Sequence, residues 1–566
     1  MTPATNRIFT VSALSLALWA CGGHTPANDN QSNNANPAHA EPAHVESKET
    51  KQHNEDQLVE GINTLIDIAS PIMTAKTSHL AIQKMPIAPD VIPMAEQNRE
   101  NYASQDEQTV KRVADEPVST LSTDVDTASY TNARRFLNQG QLPPTDAIRV
   151  EEFINYFDYG WPRANSLAKP LALDTEWMPT PWNADTQLMR VSLQSYQSSL
   201  DQLAPMNLVF LLDVSGSMSD PDKLPLMQRS FNLLVAQLRP QDHVSIVVYA
   251  GDSGVVLEPT SGDQKATINA AINQLKAGGS THGSAGIELA YELAAQHAKP
   301  NSLNRVIIGT DGDFNVGTTG IDALKDLIEQ KRDSGICLSV LGFGTGNYND
   351  HLMETLSNHG NGNAFYIDSF NEARRIFADQ LTGTLQTVAK DVKLQVEFNP
   401  AYVSEYRLIG YENRVLAQED FNNDRVDAGD MGSGHSVTAL YEIVPTAGNF
   451  RFNDPLRYQS QEKAPSQGQT NGEWAHVKVR YKQPDSTQSQ LITMPVHAPT
   501  QNPSKDMQLA VHVAGFAQSL RHSRYLNDYT LMDALTGAEQ AVKGHEDKWG
   551  YRQELIQLIR NAQATQ

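Results

Sequence analysis

The stretch Leu208-Val-Phe-Leu-Leu-Asp-Val-Ser-Gly-Ser-Met218 constrains this chain more than any other, because an uninterrupted apolar run ends in Asp213, Ser215 and Ser217. A run without polar alternation reads as a parallel strand covered on both faces, which requires an α/β architecture. Open α/β sheets place their ligand groups beyond the carboxyl ends of such strands, where this run turns polar. One carboxylate and two hydroxyls within a turn are hard oxygen donors. That is the chemistry of Mg2+, Mn2+ or Ca2+, not of zinc or iron–sulfur centres. Taken alone, Asp213 and Ser215 would serve equally well as caps for the helix that follows.

Two later loops complete the pattern. Ala277-Gly-Gly-Ser-Thr281 adds a hydroxyl on a stretch whose glycines permit close backbone approach, and the strand Arg305-Val-Ile-Ile-Gly-Thr310 runs into Asp311-Gly312-Asp313. Three strand ends thus bring Asp, Ser, Ser, Thr and Asp to one sheet edge. This order resembles the von Willebrand factor type A domain and its metal-ion-dependent adhesion site. The resemblance implies Asp213, Ser215, Ser217, Thr281 and Asp311 as metal ligands and gives the direct role to Asp311, so Asp313 reads as a loop residue or one that supports the ligands from behind, while His282 reads as a surface loop residue beside the site.

Around 206–385 the pattern alternates strand and helix as a doubly wound, Rossmann-like parallel sheet requires. Helices are expected at Lys223–Leu238, Gln264–Leu275, Ser284–Gln296, Gly320–Lys331, Tyr348–Asn358 and Asn371–Val388, the last running past the domain edge. On both sides the pattern switches to period-two alternation, before at Leu171–Trp177 and Gln187–Leu193, and after at Val392–Phe398, Val403–Ile409, Ser436–Ile443 and Trp474–Tyr481. Such segments read as antiparallel strands with one solvated face. The type A domain is therefore expected as an insertion in an antiparallel β-sandwich, with helical flanking segments. The sandwich takes its first strands, beside a helical segment, from 97–205 and its second part from 386–485, and a helical region occupies 486–566. The order and sequence of these flanks resemble a family of bacterial lipoproteins of unknown function, with its amino-terminal and carboxyl-terminal domains. Asp124 and Asp126 read as cap and turn residues. Asp424, Asp427, Asp430 and His435 read as turn residues more readily than as a second metal site.

At 566 residues the chain is long enough for two to four domains, and its net charge of -22 disfavours nucleic acid as a partner. Its cysteines, Cys21 and Cys337, are no disulfide framework. Cys337 lies in a buried-strand pattern. Residues 1–21 carry Arg7, a short apolar core and Leu18-Trp19-Ala20-Cys21, which resembles a bacterial lipobox although Trp19 stands where a small residue is usual. Lipid on Cys21 would anchor the chain in the bacterial envelope, and Gly22 resembles the sorting signal for the outer membrane, facing periplasm or cell surface. Residues 22–96 read as a polar, disordered tether, with a short helix at Leu58–Ala69 as one option.

The resemblance implies a metal-dependent binding module for adhesion or envelope scaffolding, in which a partner protein's Asp or Glu completes the metal shell. No Gly-x-Ser-x-Gly elbow surrounds the serines and Gly342–Gly346 lacks dinucleotide-fingerprint spacing, so no enzyme is expected. A purely structural envelope role is the alternative, followed by a metal-assisted hydrolase.

Overall fold

The computed structural model describes residues 100–124, 126–281, 283–299, 301–312, 321–454, 456–457, 472–499 and 502–566. Cys21, the tether and the helix expected at Leu58, as well as His282 and Asp313, lie outside them.

A six-stranded sheet forms the type A unit, in the order Ala364–Ile367, Ile336–Phe343, Leu303–Thr310, Met206–Asp213, His243–Tyr249 and Ser253–Ser261. All neighbours are parallel except the last pair, where Ser253–Ser261 returns antiparallel as an edge strand. The apolar run is continuous because both faces of its strand are buried. Leu208, Phe210 and Leu212 pack into one core layer, while Val209 and Leu211 pack into the layer on the opposite face. Met206–Asp213 has its first successor strand, His243–Tyr249, on one side and the later Leu303–Thr310 on the other. The crevice between strands leaving in opposite directions is where doubly wound sheets bind ligands.

Two antiparallel sheets flank this unit in sequence. One has the order Lys111–Arg112, Val403–Ile409, Ser436–Pro445, Gln187–Ser195 and Leu171–Pro179. The other runs Met431–Gly432, Thr387–Phe398, Glu473–Lys482 and Ser489–His497, with Val118–Ser122 also paired to Thr387–Phe398. Val191 and Leu193 from the first sheet share one core with Leu394, Val396, Val477 and Val479 from the second. They form a sandwich interrupted between Ser195 and Thr387 by the type A unit, the inserted architecture that the alternating segments imply.

Several expectations need correction. Ser489–His497 carries the sandwich past residue 485, and the carboxyl-terminal helices begin at Lys505, not at 486. The helix expected to reach Val388 instead divides into Phe370–Arg374, a π-helical turn at Arg375–Asp379 and Leu381–Leu385. Thr387 has by then joined the sandwich opposite Gly432, and sheet pairing takes the backbone groups that a longer helix would use. Gln187–Ser195 has no solvated face, since Leu188 and Leu440 pack beneath the helices Lys505–Leu520, Leu531–Val542 and Tyr551–Thr565. Those helices share their core with Tyr130 of the helix Ala128–Asn138, Phe153 of the helix Val150–Asn155 and Phe157 just beyond it. Their apolar stripes are core faces. Cys337 is half-buried on its strand. Among the described residues no helix is long and apolar enough to cross a membrane.

Candidate metal site

The carboxyl edge of the parallel sheet gathers the site from four loops. Asp213 ends its strand fully buried, and its Oδ1 accepts the Ser215 backbone N–H at 2.8 Å. That bond closes the turn that sets Ser215 Oγ 3.0 Å from Ser217 Oγ. From the neighbouring strand the Thr310 hydroxyl donates to Asp213 Oδ2 at 3.4 Å, and the Gly312 N–H donates to Thr310 Oγ1 at 3.2 Å. Asp311, 1% exposed, lies close enough for its charge to act on Asp213. Burial drives the Asp213 carboxyl up to about 6, Asp311 adds to the rise, and the hydrogen bonds from Ser215 oppose it.

The second loop is bound to the first by backbone. Gly216 N–H donates to the Gly279 carbonyl at 3.0 Å and Gly278 N–H to the Val214 carbonyl at 2.8 Å, with Gly279 at φ +87°. A side chain on Gly279 would be strained there, which accounts for a glycine in this loop. Thr281 follows half-buried, just ahead of the helix Gly283–His297. Its loop joins the edge through these backbone bonds.

Lys223 is a member of the site that the sequence pattern does not announce. It precedes the helix Leu224–Gln237, and its Nζ donates to Asp311 Oδ2 at 3.1 Å with both side chains buried. Its stem lies along Gly344, where an added Cβ would be 2.2 Å from Lys223 Cγ. The loop that begins at Gly344, after the strand Ile336–Phe343, is therefore a fourth one, and it makes room for the lysine. A cation at a helix amino terminus opposes the helix dipole, and that unfavourable position was the available signal.

The other candidates do not join this edge. Asp124 pairs with Arg414 at 2.7 Å, and Asp126 accepts the Ala364 N–H at 3.1 Å, so both brace the amino-terminal segment instead of capping or turning it. Asp424 pairs with Arg480 and Asp427 with Arg332, while Asp430 accepts the Asp391 N–H. His435 accepts the Gly432 N–H. Among the described residues no group of three or more His, Cys, Asp or Glu side chains gathers as a metal cluster. A metal at the sheet edge would therefore rest on two carboxylates supplemented by hydroxyls. The donor set fits a hard divalent cation, since two buried carboxylates face one edge and one of them already holds an ammonium.

Residues 207–379 match the model of the von Willebrand factor type A domain, 96–190 a von Willebrand factor model, and 383–565 the model of the carboxyl-terminal part of the uncharacterized protein YfbK. The uncharacterized protein YfbK of Escherichia coli (strain K12) is 42% identical over 518 residues, covering 90% of this chain and 87% of that protein. The chain belongs to the YfbK family. A more distant relative of this YfbK-family chain is the uncharacterized protein sll0103 of Synechocystis, 24% identical over 340 residues, 58% of this chain and 75% of that one. Among solved structures, a von Willebrand factor type A protein from Catenulispora acidiphila aligns at 14% identity and a TM-score of 0.40, over 69% of this chain and 89% of that one. The type A unit of this YfbK-family chain places it in a superfamily of interaction modules.

Proposed function

We propose that the type A edge is a divalent-cation site that captures a protein partner. Asp213, Ser215, Ser217, Thr281 and Asp311 would hold Mg2+, Mn2+ or Ca2+, and an Asp or Glu of the partner would complete the shell. The observation that carries this reading is the pair of buried carboxylates, Asp213 and Asp311, at the switch point of the sheet, with the Ser215 and Ser217 hydroxyls beside them. Two carboxylates balance a divalent charge, and hydroxyls add coordination without further charge, so the ion would stay Lewis-acidic toward a carboxylate. The reading includes a lipid on Cys21 that holds the module in the bacterial envelope, on adhesion or scaffolding duty.

Calorimetric titration of the purified chain with Mg2+ and Mn2+ tests the site. Asp213→Ala and Asp311→Ala should abolish measurable binding while circular dichroism stays that of the wild type, and Thr281→Ala should weaken it less, because a neutral ligand is lost. Partner capture from envelope extracts should vanish in EDTA and return with Mg2+ or Mn2+. Equal metal affinity in wild type and Asp213→Ala, or capture indifferent to EDTA, would put the structural role ahead.

A further inference from the structure

Opposite the metal edge, at the amino ends of the parallel strands, lies a cavity of about 240 Å3 between the type A unit and the sandwich. Its walls are backbone brought together by glycine. A Cβ on Gly362 would lie 1.6 Å from the Leu338 carbonyl oxygen, one on Gly432 1.9 Å from the Gly383 carbonyl oxygen, and one on Gly429 2.2 Å from the Asp124 nitrogen. Main chain from three parts of the molecule meets without intervening side chains, and the space left over is lined by polar groups.

Arg305 lines this cavity and is 4% exposed. Its Nη1 donates to Ser339 Oγ at 2.6 Å, and among the described residues no carboxylate pairs with it. Other comparably buried arginines of the described residues are matched: Arg134 to Asp368, Arg149 to Asp350, Arg375 to Glu372 and Arg407 to Glu442. A guanidinium keeps its proton inside a protein, so a buried one requires an anion or water. The carboxylates of the cavity have partners of their own: Asp124 pairs with Arg414, which lines the same cavity, Asp427 pairs with Arg332, and Asp430 takes the Asp391 N–H at 3.2 Å and the Asn361 side-chain N–H at 3.4 Å. Asn358 and Asn363 are half-buried along the same walls and add side-chain amides that make no hydrogen bond to other described residues.

We propose that this cavity binds a small solute through an oxyanion, a carboxylate or phosphate group seated on the Arg305 guanidinium, with Asn358 and Asn363 hydrogen-bonding its polar body. The planar fork of arginine matches both headgroups. Because the walls belong to both the type A unit and the sandwich, an occupant braces one against the other.

Titration calorimetry of the full chain with inorganic phosphate and with malonate, at constant ionic strength in chloride, separates the two headgroups. Saturable binding of at least one is expected, weakened tenfold or more in Arg305→Gln and partly restored in Arg305→Lys. Asn363→Asp places a competing carboxylate in the cavity, and should lose the anion while keeping the wild-type circular dichroism. Phosphate binding alone assigns a phosphate-bearing solute, and malonate binding alone a carboxylate-bearing one. Folded wild type that takes up neither anion, or binding that Arg305→Gln and Asn363→Asp leave unchanged, overturns the proposal.

Discussion

Lys223 shows how one side chain sets the electrostatics of the metal edge. Its ammonium neutralises Asp311 in the metal-free protein and opposes a second cation there. Replacing it by Met should therefore act in two directions. The metal-free melting temperature should fall, because Asp311 loses its counter-charge, while Mg2+ affinity should rise about tenfold, or 1.4 kcal/mol. Thermal melts with EDTA and with Mg2+ check both signs, and a parallel shift in the two would remove Lys223 from the site. His435 carries a separate pH effect. Burial pushes its imidazole down to about 4, and the Arg375 and Arg305 charges add to the fall. An unfolded histidine titrates near 6.5, so between about pH 6.5 and 4 the unfolded chain binds a proton that the folded chain refuses. Stability is lost as pH falls through that window. In His435→Gln the difference between urea midpoints at pH 7 and pH 5 should shrink. An undiminished difference would place the acid sensitivity elsewhere.

The loop after Leu303–Thr310 holds Asp311 through a glycine. Gly312 has φ +95°, and a Cβ there would come within 2.7 Å of the Asn347 carbonyl oxygen and the Asn349 nitrogen. Gly312→Ala adds a strained backbone to a steric clash, so it should destabilise the protein by about 1–3 kcal/mol. Metal affinity should fall at the same time, because Asp311 moves with the loop. Urea unfolding and calorimetry on the same variant measure the two effects, and stability within error of wild type would refute the steric argument. The strand ahead of the loop was legible from its apolar run. The opposing Asn347–Asn349 segment was not, since nothing local in sequence shows what a turn packs against.

The whole molecule is joined by buried ion pairs between its parts. Arg134, on the helix Ala128–Asn138, donates to Asp368 Oδ2 at 2.7 Å, to Glu372 Oε2 at 2.9 Å, to Tyr156 Oη at 2.8 Å and to Glu554 Oε2 at 3.0 Å. One guanidinium thus links the amino-terminal helices, the end of the type A unit and the carboxyl-terminal helix. Burial raises the Glu372 carboxyl, but Arg375 and Arg134 outweigh it and hold the group below its ordinary value. Arg134→Ala leaves buried carboxylates without their cation and should cost about 3–5 kcal/mol. Chemical denaturation would measure it, and a loss below about 1 kcal/mol would show that the parts are held by apolar packing alone.

The sequence by itself determined the parallel sheet, the interrupted sandwich and the grouping of Asp213 with Ser215 and Ser217, because each follows from local periodicity or from residues within one turn. The carboxyl-terminal helices were legible for the same reason, their apolar residues recurring at helical spacing. Tertiary structure alone decided that Gln187–Ser195 is buried on both faces, since helices more than three hundred residues later cover it. It also decided that Asp124 and Asp126 answer Arg414 and Ala364, that Lys223 reaches Asp311, and that Arg305 faces a cavity whose carboxylates pair with other groups. Each is a charge or hydrogen-bonding group whose partner lies on a distant segment. Local spacing sets the direction of a side chain along its own element, while the field around a buried charge comes from whichever segments the fold places against it.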